Sequence, residues 1–175
     1  YWLRGEYDKG LQTLKQALKI AKEHSIHDLK ARIYNNFGNI YRDLGDLANA
    51  SKYYQWALEI NEELGDELAQ SAVMISISNL HFDLFDYENA LEYAIRCLVI
   101  FKKYEDRNRL ISVYNTLGNI YLKMEDNDNA LVNFKKGLEL TEVNTVGLML
   151  ANSGIGKVYY KLGVFENARK YLNAV

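Results

Sequence analysis

Apolar residues fall on helical spacings along the whole chain, and they do so in blocks that recur. A small residue marks each block, at Gly10, Ala50, Ala90, Ala130 and Ala168, with spacings of 40, 40, 40 and 38 residues. Four residues on from these anchors stand Leu14, Tyr54, Ala94, Phe134 and Leu172, and seven on stand Ala17, Ala57, Cys97, Gly137 and Val175. Positions i, i+4 and i+7 share one side of a helix, and the side continues through Leu18, Leu58, Leu98 and Leu138. Upstream of each anchor runs a second ridge: Tyr34, Phe37, Tyr41; Met74, Ile77, His81; Tyr114, Leu117, Tyr121; Ile155, Tyr159. Inside each ridge sits a small residue, Gly38, Ser78, Gly118 or Gly156. Glycine in a helix interior costs about 0.5–1 kcal/mol relative to alanine, so its recurrence at one register predicts close approach of a partner helix.

Short polar turns separate the two ridges: Gly5-Glu6-Tyr7, Gly45-Asp46-Leu47, Phe85-Asp86-Tyr87, Glu125-Asp126-Asn127 and Gly163-Val164-Phe165. Asp28, Asp66, Asp106 and Asn144 are suited to cap the upstream helices. The pattern predicts helices over 7–24, 29–44, 47–64, 67–84, 87–103, 107–124, 127–142, 145–162 and 165–175, with Tyr1 to Arg4 as the tail of a severed helix. The unit is helix, tight turn, helix, and about four and a half units fit, over roughly 1–26, 27–65, 66–105, 106–143 and 144–175, as a single domain.

These residues resemble the tetratricopeptide family, whose signature is an aromatic, then Leu-Gly, then Tyr in the first helix, with Ala and an aromatic in the second. The matches are Tyr34, Phe37-Gly38, Tyr41, Ala50, Tyr54 and Ala57, and again Tyr114, Leu117-Gly118, Tyr121, Ala130 and Phe134. The resemblance covers the whole chain and implies an all-α fold, a right-handed α-solenoid of stacked antiparallel helix pairs. Two features depart from the family pattern. The unit is 40 residues, where about 34 is usual, and Glu62, Lys102 and Glu142 stand near the place of the closing proline. Forty-residue units of this kind resemble arrays in bacterial peptide-sensing regulators, spindle-orientation adaptors and bacterial sensor kinases or nucleotide cyclases, and the spelling of residues 35–46 resembles the bacterial signalling examples most.

Composition sharpens the fold and narrows the function. Proline is absent from all 175 residues, where about nine would be usual, which favours an all-helical chain. The residues are 49% hydrophobic and 25% charged, which excludes a disordered chain. The net charge of −2 argues against a nucleic-acid-binding surface, and the short apolar runs argue against a membrane span. One cysteine excludes an internal disulfide framework. Tyr1 in the place of a starting Met, and an apolar pattern that runs out at Tyr171–Val175, lead to the expectation of a piece of a longer protein. The expected compartment is the cytoplasm, or the periplasm for the sensor domain of a membrane-bound signalling protein.

At about 100° per residue, a third side of each upstream helix is neither ridge nor neighbour-packing face. On the first such helix it carries Arg32, Asn35, Asn39 and Arg42. The equivalents are Ala72, Ile75, Asn79, Phe82; Ser112, Asn115, Asn119, Leu122; and Leu150, Ser153, Lys157, Tyr160. Stacked units bring such stripes together, on the concave side if the family geometry holds. An Asn amide offers both a donor and an acceptor, which suits the backbone of an extended peptide. Ile75, Phe82, Leu122 and Tyr160 can accept side chains, and Arg32, Arg42, Lys123 and Lys157 bias the stripe toward an acidic or C-terminal carboxylate group. Simple solvation is the competing reading of an exposed helix Asn. Asn49, Asn89, Asn129 and Asn167 recur just before the anchors, where a role in the turn is expected.

Other constellations are weak. Gly154-Ile155-Gly156-Lys157 lacks the earlier Gly and the following Ser or Thr of a phosphate loop. His24 and His27 make an incomplete metal site. His81 and Cys97 are expected to be packed, the latter as an inert thiol. No spacing supplies a nucleophile, base and oxyanion site together. The expected function is a non-catalytic scaffold without cofactors that captures a peptide or partner protein. The alternatives are a sensory or regulatory domain of a larger bacterial signalling protein (a cyclase, sensor kinase or transcription regulator) and an oligomerisation module that self-associates through 165–175.

Overall fold

A computed structural model of the chain describes residues 2–141 and 146–174, with side chains described from Glu6 onward. Among the described residues every regular element is a helix: α1 (Trp2–Glu23), α2 (His27–Asp43), α3 (Leu47–Leu64), α4 (Glu67–Asp83), α5 (Tyr87–Lys103), α6 (Arg107–Lys123), α7 (Asn127–Glu139), α8 (Val146–Lys161) and α9 (Phe165–Leu172). None of these is long and apolar enough to cross a membrane. The chain divides into two compact units, Tyr1–Leu80 and His81–Val175, with the boundary inside α4.

In the first unit α2 packs on both α1 and α3. Gly38 is where the backbones close up: a Cβ there would fall within the ring of Tyr54, which is wholly buried. The ridge aromatics form one cluster, with the Tyr53 ring 4.9 Å from Phe37, 5.3 Å from Tyr41 and 5.2 Å from Trp56. Burial pushes the phenols of Tyr34 and Tyr53 above their ordinary range. The ridge is therefore core, as its spacing predicts.

In the second unit α5 packs on α6, α6 on α7, α7 on α8 and α8 on α9, and α6 also meets α8. Its centre is Phe134 with Ala130, Ile155 and Val158, all fully buried. The Cδ1–Cε1 edge of Phe134 lies against Gly118 of α6 and Gly154 of α8, so close that a Cβ on either would overlap it. Gly156 does the same for Leu172. The glycines of the phosphate-loop look-alike are thus occupied by packing.

The caps divide into three outcomes. Asp66 and Asp106 accept from the backbone N–H of Ala69 and Arg109, at 2.9 and 3.0 Å, as expected. Asp28 does not cap: α2 starts two residues earlier than expected, at His27 after Ile26, and Asp28 lies in its first turn. Asn144 and Glu142 lie outside the described residues. The second helices carry caps of their own, Asp46, Asp86 and Asp126, each accepting from the N–H of the Asn three residues on. Those asparagines, Asn49, Asn89 and Asn129, also donate Nδ2–H to the second carboxylate oxygen at 2.6–2.7 Å. Both bonds favour the ionised form and hold all three carboxyls below their ordinary range.

The expected turn at Gly5-Glu6-Tyr7 is overturned, because α1 runs straight through it from Trp2, so Trp2 to Arg4 belong to α1 and not to a separate helix. Glu6 stands where Asp46, Asp86 and Asp126 stand in three of the other turns and Val164 in the fourth, and Glu is not among the residues favoured for capping. At the other end of the repeat, α7 stops at Glu139, three residues short of expectation.

Candidate functional site

The stripe residues of the second unit converge. Phe82, Asn119, Leu122, Lys123 and Lys157 line one groove of about 520 Å³ together with Glu125 and Lys161. Helix α6 supplies Asn119, Leu122 and Lys123 from its last turns, α8 supplies Lys157 and Lys161, and Phe82 comes from the end of α4. The close α6–α8 approach behind the groove is set by Gly118 and Gly154 across the Phe134 ring. Small residues on the core side therefore hold the polar stripes next to each other on the open side.

The groove is basic. Lys161 Nζ donates to Glu125 Oε1 at 3.1 Å, and that pair is largely solvated. Lys123 and Lys157 are exposed and have no carboxylate partner among the described residues. Three ammonium groups against one carboxylate leave a net local charge of 3 − 1 = +2. Asn119 is exposed, while Phe82 and Leu122 are half-buried, so the groove offers an amide, an aliphatic and an aromatic surface between the cations.

The same two helices form a larger hollow, of about 620 Å³, toward their N-termini. Asn115 lines it with Ser112, Ile111, Leu150 and Arg107, the last donating through Nε to Leu140 O at 2.8 Å. Asn115 is only 5% exposed. Its Nδ2 donates back to Ile111 O at 3.1 Å, and its Oδ1 is buried without a hydrogen-bond partner.

The first-unit residues behave differently. Arg32, Asn35, Asn39 and Arg42 share α2, as their spacing predicts. Asn39 Oδ1 accepts from the hydroxyl of buried Tyr54 at 2.8 Å, so its carbonyl satisfies the core. At the matching place in the second unit Phe134 has no hydroxyl, and Asn119 remains exposed. Asn35 is half-buried with a buried, unpartnered Oδ1. Arg42 pairs with Asp43 at 3.6 Å. Ile75 and Asn79 are half-buried on α4. Tyr160 is exposed and packs edge-on against Phe165 at 5.7 Å, away from the groove lining. Spacing did not single out Lys161 or Glu125, although Lys161 lies four residues beyond Lys157 and so on the same helix side.

The remaining candidates are structural. His81 Nδ1 lies 2.9 Å from Asp86 Oδ2, and its ring stacks on Tyr93 at 5.7 Å. Cys97 is fully buried, which pushes its thiol up to about 12. Among the described residues no group of three or more His, Cys, Asp or Glu side chains could hold a metal ion.

The comparisons with known proteins agree with this architecture. The solved structure of BtubC (BKLC) from P. vanneervenii is 26% identical, covers 98% of this chain and 72% of its own, and superposes with a TM-score of 0.84. A Signal Transduction ATPase with Numerous Domains with a tetratricopeptide repeat sensor, from Pyrococcus horikoshii, is 23% identical over 97% of this chain and 26% of its own, with a TM-score of 0.83, a likeness of fold. The 43 kDa receptor-associated protein of the synapse from Tetronarce californica is 30% identical over 73 residues, which span 42% of this chain and 18% of that protein. The all-α class of helix pairs read from the sequence is the class these solved structures share. The family model described as "Tetratricopeptide repeat" matches residues 1–63 and 69–142, and the chain belongs to that family.

Proposed function

We propose that the chain is a non-catalytic scaffold that captures an extended peptide or partner segment in the α6–α8 groove. Tetratricopeptide repeats generally serve as non-catalytic scaffolds and bind protein partners. The carrying observation is the convergence of Phe82, Asn119, Leu122, Lys123 and Lys157 on one open groove. Asn119 can exchange hydrogen bonds with a peptide backbone, while Leu122 and Phe82 take its apolar side chains. The test is selection of peptides from a displayed random library, followed by affinity measurement on Asn119→Ala/Leu122→Ala. The expected result is a loss of about tenfold or more, the size of a modest hot spot. Selected peptides that bind the folded double variant unchanged overturn the reading.

A further inference from the structure

Phe85 occupies a left-handed backbone position, φ 61°, in the turn between α4 and α5. The matching turn positions hold Gly45, Glu125 and Gly163. A bulky aromatic adopts this conformation only at a steric cost. Burial does not repay that cost here, because Phe85 is 78% exposed. It does have ring neighbours. Tyr87 meets Phe85 edge-on at 6.4 Å and meets Phe82 edge-on at 5.6 Å, and Phe82 lines the basic groove. A strained, solvent-facing aromatic is thus linked, ring to ring, to a cleft carrying two ammonium groups that have no carboxylate partner among the described residues.

We infer that the groove and its aromatic rim recognise an acidic partner segment that carries an aromatic or large aliphatic side chain among its carboxylates. The inference rests on the groove being the partner site and adds the chemical class of the partner. Charge complementarity selects the class. Among the described residues Lys123 and Lys157 face the groove without carboxylates of their own, while Lys161 is already held by Glu125. An acidic segment supplies two side-chain carboxylates to the unpaired cations, and its apolar side chain covers Phe85 and Phe82. The strain at Phe85 is tolerated because the residue acts in the complex and not in the free fold.

The test uses the full chain and three synthetic peptides with amidated C-termini, so that no terminal carboxylate contributes. One alternates Glu with Phe and Leu, the second has Lys for Glu, and the third has Ser for Phe and Leu. The first is expected to bind tightest and to weaken as ionic strength rises from about 0.05 to about 0.3 M. Lys123→Glu/Lys157→Glu, shown to be folded by circular dichroism, is expected to lower its affinity about tenfold or more. Phe85→Gly separates binding from stability: it relieves the backbone strain and so raises the melting temperature, yet lowers affinity about fivefold. Equal binding of the Lys peptide, or an acidic peptide indifferent to the charge reversal, overturns the acidic class. A folded Phe85→Gly variant with unchanged affinity overturns the aromatic rim. A Lys or Ser peptide that still depends on Asn119 and Leu122 leaves the groove as the partner site while removing this inference, whereas no dependence on the groove by any probe removes both.

Discussion

Replacing Gly118 with alanine sets two parts of helix energetics against each other. Inside a helix the change gains up to about 1 kcal/mol, because glycine loses more backbone freedom on folding. The added Cβ, however, would stand 2.7 Å from Cδ1 and Cε1 of Phe134 and 2.8 Å from Cγ. Carbon pairs are most favourable near 3.5–4.0 Å, so the ring must retreat by about 1 Å. It has little room to do so. Phe134 is fully buried, the overlap reaches the base of the ring at Cγ, and Gly154 lies against the same edge. Overpacking of this kind costs about 1–3 kcal/mol, and a ring wedged between two helices belongs at the upper end. The net expectation is a destabilisation of about 2 kcal/mol, or a fall in Tm of about 4–8 °C for a chain of this length. Urea unfolding followed by circular dichroism measures it. Two further variants isolate the cause. Phe134→Leu in the Gly118→Ala background should recover about 1 kcal/mol relative to additivity. Gly10→Ala meets only the flexible Ile40 Cδ1 at 3.2 Å and should be neutral or slightly stabilising. A Gly118→Ala variant as stable as the parent, or purely additive with Phe134→Leu, refutes the close-approach account of the recurring glycines.

Three further outcomes follow from the same structure. Tyr54→Phe removes the hydroxyl donated to Asn39 and should cost about 1 kcal/mol in urea unfolding, and Asn39→Ala, which removes the accepting carbonyl, should cost about as much; neither should change peptide affinity in the second unit. The depressed carboxyls of Asp46, Asp86 and Asp126 mean that the folded chain binds fewer protons there than the unfolded chain. Their stabilisation is therefore complete above the ordinary carboxylate range and drains as pH falls below it, and Asp126→Asn should flatten the low-pH part of the Tm profile. Burial raises the Cys97 thiol from 9.0 to about 12, so iodoacetamide at mildly alkaline pH should label it only after denaturant is added. Because the folded form keeps that proton longer, this contribution to stability is present below pH 9.0 and is lost as pH rises toward about 12. Prompt labelling of the native chain would contradict the burial of Cys97.

Much of the fold was legible because its determinants are local and repeated. The forty-residue register gives every helix, and the small residues at Gly38, Gly118 and Gly156 mark the close approaches that the structure contains. Boundaries were less legible. Asp28 has the right chemistry for a cap, yet α2 begins before it, and Gly5-Glu6-Tyr7 looks like a turn although α1 runs through it. The candidate site was legible as a helix side and not as an environment. Helical angles put Asn39, Asn115 and Asn119 on equivalent faces, but they do not show which hydrogen bonds are already taken. Asn39 is engaged by Tyr54, Asn115 turns back to its own helix, and only Asn119 of the three is exposed. A signal for the first was present in the sequence: a hydroxyl-bearing Tyr54 in the slot that holds Phe134 two units later needs a polar neighbour. The reach of Lys161 to Glu125 depends on two helices meeting, which no single-helix pattern contains.

The measurement that bears most directly on the central claim is site-specific photocrosslinking of library-selected peptides to the full chain. A photoreactive side chain at Asn119 or Leu122 reports the α6–α8 groove, and one at exposed Val132 on α7 reports a surface outside the groove lining. The account predicts peptide adducts from the first two positions and none from the third. Adducts at Val132 with none at Asn119 or Leu122 would contradict it.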